Sequence, residues 1–170
     1  MPGATAGAFR RIAAAAYDGL LLCAVLMAVT ALMMAFTHGE AITRARVGAF
    51  EYLYCAVLVA CIGGYFAIAW RQRGQTLGMK AWNIRLETQD GALPGFGGIA
   101  LRLAIAAPLY LLAIAGLALL IARRGGALVV LACWAPLLFS YAWQVLTGRG
   151  TLHDLASRTC VRQLPPGTRA

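Results

Sequence analysis

Four long apolar runs alternate with shorter polar segments along the chain. The runs cover residues 12–36, 49–70, 99–122 and 127–146. Because an α-helix rises about 1.5 Å per residue, each run is close to the length needed to cross roughly 30 Å of hydrocarbon. The pattern predicts an all-α membrane protein with four transmembrane helices, for which the lipid bilayer is the first partner.

Two polar segments carry patterns of their own. They occupy residues 71–98 and 147–163. In residues 82–87 apolar and polar side chains alternate, and Asp90-Gly91 follows, which predicts a β-strand and a turn. Thr151 is a suitable cap for a short helix over residues 151–156, and residues 159–162 predict a second strand.

The two predicted strands are expected to pair with each other. An isolated strand at a membrane surface would leave its backbone groups without hydrogen bonds. Pairing makes one small cytoplasmic cap of short helices and a two-stranded β element. The predicted organisation is a single membrane domain over residues 1–163 and a disordered tail over residues 164–170.

The chain also contains two similar halves. Arg11 and Arg102 each open an alanine-rich helix, and the turn Arg73-Gly-Gln-Thr-Leu resembles Arg149-Gly-Thr-Leu. This favours two parallel halves related by an axis along the membrane normal, although alanine-rich matches also arise by chance.

Composition supports the membrane assignment and adds an orientation. Hydrophobic residues make up 61% of the chain and charged residues 12%, with 15 Lys and Arg against 6 Asp and Glu. With the N-terminus in the cytoplasm, eleven basic residues fall on the cytoplasmic side and four on the other. The eleven are Arg10, Arg11, Arg71, Arg73, Lys80, Arg85, Arg102, Arg149, Arg158, Arg162 and Arg169, and the four are Arg44, Arg46, Arg123 and Arg124. The positive-inside rule then places both termini in the cytoplasm, and this bias explains the basic balance without a nucleic-acid partner.

Few residues are suited to metal binding or catalysis. His38 and His153 are the two histidines, and neither has a neighbour at metal-ligand spacing. Four of the five cysteines lie in apolar runs, where a thiol behaves as a small hydrophobic group. There is no nucleophile-base pair and no paired carboxylate motif. We therefore expect no metal, no cofactor and no enzymatic activity.

Asp18 is the clearest polar residue inside a predicted membrane helix. Such a carboxylate is costly and usually faces a protein interior, an aqueous cavity or a basic partner. Arg102, if it lies at the same depth, can supply that partner. One interpretation is a buried ionic cluster that holds the helices in register, formed by Arg11, Asp18, Arg102 and Asp154. The other is that Asp18 exchanges a proton or cation as a site opens to the cytoplasm.

A glycine-rich turn motif follows the second helix. It contains Gly74, Thr76, Gly78 and Lys80. Its spacing differs from that of a phosphate-binding loop, and no strand precedes it, which favours turn glycines over a nucleotide site.

Three segments, taken in order, resemble the RDD family of bacterial membrane proteins, named for one arginine and two aspartates. They are Arg11 to Asp18 with its alanine-rich stretch, residues 74–91 followed by Arg102, and Asp154 before residues 159–161. The family more often places lysine directly after the second glycine, whereas Met79 separates Gly78 from Lys80 here. The resemblance covers about residues 9–163 and implies a multi-pass protein of the bacterial inner membrane. The resemblance also implies a candidate transporter of unknown ligands, with sodium/proton exchange proposed for some family members.

Two functions remain open from the sequence. The first is a small carrier of a ligand or cation with Asp18 as its intramembrane polar site. Four helices enclose little space, so such a carrier is expected to be a homo-oligomer or to join another membrane protein. The second is a non-transporting accessory or assembly subunit whose cytoplasmic cap binds a partner protein.

Overall fold

The computed structural model describes residues 5–38 and 48–165. Four long helices are present: α1 (Ala8–Phe36), α2 (Phe50–Arg73), α4 (Phe96–Ile121) and α5 (Ala127–Thr147). Two short helices, α3 (Leu77–Ala81) and α6 (Leu152–Ala156), and two strands, β1 (Ile84–Thr88) and β2 (Thr159–Gln163), complete the described part. Each long helix is long and apolar enough to cross a membrane, which confirms the prediction of four transmembrane helices.

The long helices extend past the predicted apolar runs where charged residues begin. Helix α1 starts at Ala8 rather than at residue 12, and α2 continues to Arg73 rather than ending at residue 70. Helical backbone hydrogen bonds continue through polar residues, whereas hydropathy detects only the apolar stretch. Gly74 and Gly148 end α2 and α5 with φ values of +68° and +67°, a left-handed conformation that glycine adopts without steric cost.

The predicted β element is confirmed. Strands β1 and β2 pair antiparallel, with Leu86 opposite Val161 at the centre. The predicted start of the first strand was wrong by two residues, because Trp82 caps the end of α3 and Asn83 turns the chain at φ +51°. Thr5 forms a further bridge with Arg162, a contact that the sequence pattern did not predict.

We call the unit formed by α3, β1, α6, β2 and the residues joining them the cap. It packs against the start of α1 and α4 and the end of α2 and α5. The hydrophobic core lies at this junction and consists of Ala6, Ala14, Trp70, Met79, Ile84, Leu86, Ile99 and Val161. By contrast, no residue in the most apolar stretch of α1 is buried by the chain itself. The cap end is therefore packed like a soluble protein, and the rest of the apolar helix surface is left for lipid.

Within residues 5–38 and 48–165, the two halves repeat the same order of elements: two long helices, one short helix and one strand. Thr76 and Thr151 precede the short helices in similar extended conformations. Asn83 and Arg158 precede the strands, both at φ +51°. Members of each pair are 75 residues apart, so the similarity noted in the sequence extends to backbone conformation.

Several of the sequence-based predictions fall partly outside the described residues. Arg44 and Arg46 belong to residues 39–47, and most of the predicted disordered tail belongs to residues 166–170, which are not described. Leu164, the first residue of that predicted tail, donates its N–H to the carbonyl of Asn83 at 2.9 Å. The ordered contacts of the cap thus continue to Leu164.

Replacing Gly78 by alanine should separate α3 from α1. A Cβ atom at Gly78 would lie 2.2 Å from the carbonyl oxygen of Ala14, which is backbone and cannot rotate away. Overpacking of this kind costs about 1–3 kcal/mol, so we expect a lower thermal midpoint in detergent at a fixed heating rate. Gly19→Ala is the matched control, since a Cβ atom at that position would meet no heavy atom within 4 Å beyond its chain neighbours and the local helix backbone. Equal midpoints for the two variants would show that the close approach at Gly78 is not needed.

Candidate functional site

Asp18 is buried on α1 and binds the start of α3. Its Oδ1 atom accepts hydrogen bonds from the Tyr65 hydroxyl at 2.6 Å and the Gly78 N–H at 2.8 Å. Its Oδ2 atom accepts one from the Thr76 hydroxyl at 2.5 Å. Three donors therefore hold a carboxylate that is 3% exposed. Hydrogen bonds, rather than a basic side chain, compensate its burial.

The turn motif explains why α3 reaches Asp18. Thr76 caps α3 by accepting the Met79 N–H at 3.1 Å while its hydroxyl donates to Asp18. Gly78 provides the space for contact with α1, and a Cβ at Gly74 would lie 2.7 Å from the Leu86 carbonyl. Hydrogen bonds thus place Thr76, and close packing against backbone atoms places Gly74 and Gly78. Lys80, the fourth, is exposed on the other side of α3.

Asp154 forms a second buried site, in which two arginines meet one carboxylate. Arg11 on α1 donates to its Oδ2 atom, and Arg102 on α4 donates to its Oδ1 atom at 2.5 Å. The backbone N–H of Thr151 also donates to Oδ2, at 3.1 Å. Asp154 is 1% exposed, so the three groups form one desolvated ionic network.

Both guanidinium groups make further contacts. Arg11 donates Nε–H to the Ala6 carbonyl at 3.1 Å and an Nη2 proton to the Val161 carbonyl at 3.3 Å. Arg102 donates to the Thr159 hydroxyl at 2.8 Å, and its guanidinium carbon lies 5.3 Å from the ring centre of Trp70. Arginine can satisfy several acceptors at once because its five N–H groups point in fixed directions.

The electrostatics of this network keep Asp154 ionised. Burial by itself raises the pKa of Asp154, but the positive charges of Arg102 and Arg11 outweigh burial and hold it well below its usual range. His153, on the same short helix, is 4% exposed. Burial, aided by the charge of Arg102, lowers the pKa of His153 from 6.5 to about 4. At neutral pH the network therefore contains a neutral imidazole beside two cations and one anion.

The structure separates residues that the sequence analysis had placed in one cluster. Arg11, Arg102 and Asp154 do come together, whereas Asp18 binds a different set of donors. The expectation that Arg102 is the partner of Asp18 was wrong. Arg102 projects toward β2 and α6, where Asp154 and Thr159 are its acceptors.

Several residues at these sites were not identified from the sequence. Tyr65 lies within an apolar run, so its hydrogen bond to Asp18 leaves no signal in hydropathy. Trp70 stands at a helix end, a position typical of interfacial aromatic residues, yet it is buried beneath Arg102. Thr159 was correctly predicted to lie on a strand. Only the alternation of inward-facing and outward-facing positions along that strand could have indicated that its side chain faces inward.

The arrangement is suited to joining helices. Both carboxylates connect a long helix to the cap: Asp18 joins α1 to α3, and Asp154 joins α6 to α1 and α4. Across residues 5–38 and 48–165, no three His, Cys, Asp or Glu side chains are close enough to hold a metal ion.

Removing the charge of Asp154 should strongly destabilise the fold. Asp154→Asn leaves the guanidinium groups of Arg11 and Arg102 buried without an anion, and breaking such a network costs about 3–5 kcal/mol. We expect a large fall in the thermal midpoint of the detergent-purified protein or a loss of folded yield. Glu87→Gln is the control, because its ion pairs with Arg85 and Arg162 are 3.8 and 3.6 Å long. Such partly exposed pairs contribute less than about 1 kcal/mol, so equal effects of the two substitutions would contradict the assignment.

Comparison with known protein families identifies the family of this chain. The family model described as the RDD family matches residues 5–158, which is most of the chain. The matched region contains Arg11, Asp18, Arg102 and Asp154 and ends just before β2. Comparisons with curated proteins and with solved structures each found no match. Four membrane-spanning helices together with this match show that the chain belongs to the RDD family of membrane proteins.

Proposed function

We propose that the protein is a non-transporting accessory or assembly subunit of the bacterial inner membrane whose cap binds a partner protein. The observation that carries this proposal is that the Asp18 carboxylate already accepts three hydrogen bonds from the protein. A carboxylate that exchanges a cation or proton needs a free coordination position and a path to water. Asp18 is instead buried and bound by Tyr65, Thr76 and Gly78, two of which belong to the cap side of the protein. Releasing it would break all three of these hydrogen bonds.

The distribution of charge supports a cytoplasmic position for the cap. Most of the described basic residues lie at the cap end of the bundle, whereas Arg123 and Arg124 lie at the opposite end. Positive residues are retained on the cytoplasmic side of bacterial inner membranes. Both termini are then cytoplasmic, and the cap is accessible to cytoplasmic proteins or to the cytoplasmic part of a membrane partner.

The cap presents an exposed surface on a rigid base. Asp90 and Gly91 lie in an exposed turn after β1 that also includes Gln89, and Arg149 and Arg158 are exposed around α6. The elements that carry these residues are fixed by strand pairing and by the Asp154 network. A preorganised surface of this kind loses little entropy on binding.

A second candidate is a carrier of a small ligand or cation, and one observation favours it. Two hydroxyl pairs lie within the long helices: Thr30 with Tyr54 at 2.9 Å, and Tyr110 with Tyr141 at 2.8 Å. Together with Asp18 they place polar groups along the inside of the bundle, as a transport path requires.

The proposal predicts no cation-coupled proton flux. Wild-type protein in proteoliposomes should show no flux above empty liposomes with Na⁺, K⁺ or Li⁺, whatever the residue at position 18. Asp18→Asn is the matched variant, because the amide oxygen can still accept the Tyr65 and Gly78 hydrogen bonds. Its folding should first be confirmed by an unchanged elution volume in size-exclusion chromatography. Flux in the wild type that is lost in a folded Asp18→Asn variant would establish the carrier and overturn the accessory assignment.

The proposal also predicts a discrete partner at the cap. A photo-crosslinking residue at Asp90, in the exposed turn, should give one defined heavier adduct in native membranes. The same residue at Leu128, which is 82% exposed at the opposite end of α5, should not give that adduct. Mass spectrometry of the adduct identifies its second component. An adduct of two copies of this chain would indicate a homo-oligomer instead, and identical adducts from both positions would contradict recognition by the cap.

A further inference from the structure

A groove lies on the surface where α2 ends and α3 begins. It has a volume of about 190 Å³ and shares Tyr65 and Thr76 with the Asp18 site, whose carboxylate lies behind its wall. One wall is a face of α2 that includes Tyr65, Ala69 and Arg73, and the other is the exposed face of α3 with Leu77 and Lys80. The four-residue spacing on α2 places its wall residues on one side of that helix.

The groove runs from the hydrocarbon toward the membrane surface. From Tyr65 to Arg73 the rise along α2 is about 12 Å, at about 1.5 Å per residue. Its lower part is lined by the Tyr65 ring and Ala69 within the apolar span of α2. Its upper part is lined by Arg73, the last residue of that helix, and Lys80 lines the wall formed by α3. This order of apolar and basic surface matches the order of acyl chain and headgroup in a phospholipid.

The two basic side chains are available for a ligand. Within the ranges 5–38 and 48–165, Arg73 and Lys80 have no ion pair, and both are exposed. No acidic residue of these ranges lines the groove. Asp18 lies behind its wall, and its oxygens face Thr76, Gly78 and the Tyr65 hydroxyl. The groove is therefore positive without an internal counter-charge.

The position of Lys80 relative to α2 is set by the buried contacts beneath it. Asp18 binds Thr76 and Gly78, and the Tyr65 hydroxyl accepts the Leu77 N–H at 3.3 Å. Helix α3 is thus fixed on both sides. The backbone of Lys80 is thereby held at a defined position relative to α2, unlike a lysine on a free loop.

We propose that this groove binds one anionic phospholipid, with the headgroup phosphate between Arg73 and Lys80 and the start of an acyl chain along Tyr65 and Ala69. Basic residues at the end of a membrane helix lie at the depth of the lipid phosphates, where each contributes to attraction for anionic headgroups. The apolar lower wall favours a lipid over free phosphate, since free phosphate would leave that wall in water. This inference is independent of the proposed partner of the cap.

Native mass spectrometry of the full chain in a non-ionic detergent tests the proposal. Phosphatidylglycerol and phosphatidylcholine with identical acyl chains are supplied in equal amounts, and the apparent Kd of the first bound lipid is measured. We expect tighter binding of phosphatidylglycerol to the wild type. The double variant Arg73→Gln, Lys80→Gln should weaken that binding by about ten-fold and leave phosphatidylcholine binding unchanged.

The matched control is Arg149→Gln with Arg158→Gln, which removes two exposed charges at the same end of the bundle but outside the groove. It should change the apparent Kd for phosphatidylglycerol by less than about two-fold. Equal binding of the two lipids by the wild type would overturn the proposal without any variant. An equal loss in the control pair would show nonspecific attraction and also overturn it. Displacement of the lipid by millimolar inorganic phosphate would assign the groove to a free anion instead.

Discussion

The fold depends on one carboxylate that is shared by two arginines. Asp154 connects α6 to Arg11 at the start of α1 and to Arg102 near the start of α4. All three charged residues are buried, so each is stable only while the others are present. Two further N–H groups of Arg11 bind carbonyl groups next to and within β2, which fixes the strand as well as the helix. Because β2 pairs with β1, the position of the first half of the cap follows from the same contact.

The cap and the bundle are consequently one packed unit at one end of the molecule. Buried aliphatic and aromatic residues gather at the junction, and Asp18 adds a second attachment through α3. Farther along the long helices, large apolar side chains face outward, as expected where lipid is the solvent. Both proposals follow from this division. A firmly held cap offers a surface for a protein, and its edge at the end of α2 offers a basic groove to the lipid around it.

Much of the fold could be predicted from the sequence, since the signals are local. Long apolar runs reveal spans, alternation over residues 82–87 reveals a strand, and Thr151 before Leu152 reveals a helix start. The charged residues of the candidate site were also found, because charge inside or beside an apolar run is conspicuous. The pairing of these charged residues was not predicted correctly. A guanidinium group can pair with any carboxylate that lies within a few ångströms of it. Arg11 and Asp154 are 143 residues apart in the chain, so no local sequence pattern indicates that they pair with each other.

The sequence by itself determined the number of membrane helices, the presence of the two-stranded element and the identity of the charged residues. These features depend on side chains that are close together in the sequence and on the free energy of transferring them from water to lipid. The tertiary structure alone decided that Asp18 binds α3 while Arg102 binds Asp154, that Tyr65 completes the Asp18 site, and that Arg73 and Lys80 face one groove. These outcomes depend on the depth and rotation of helices far apart in the chain. The relative depth and rotation of the helices are set by close packing at Gly78 and in the core beneath the cap. No local sequence pattern indicates this packing.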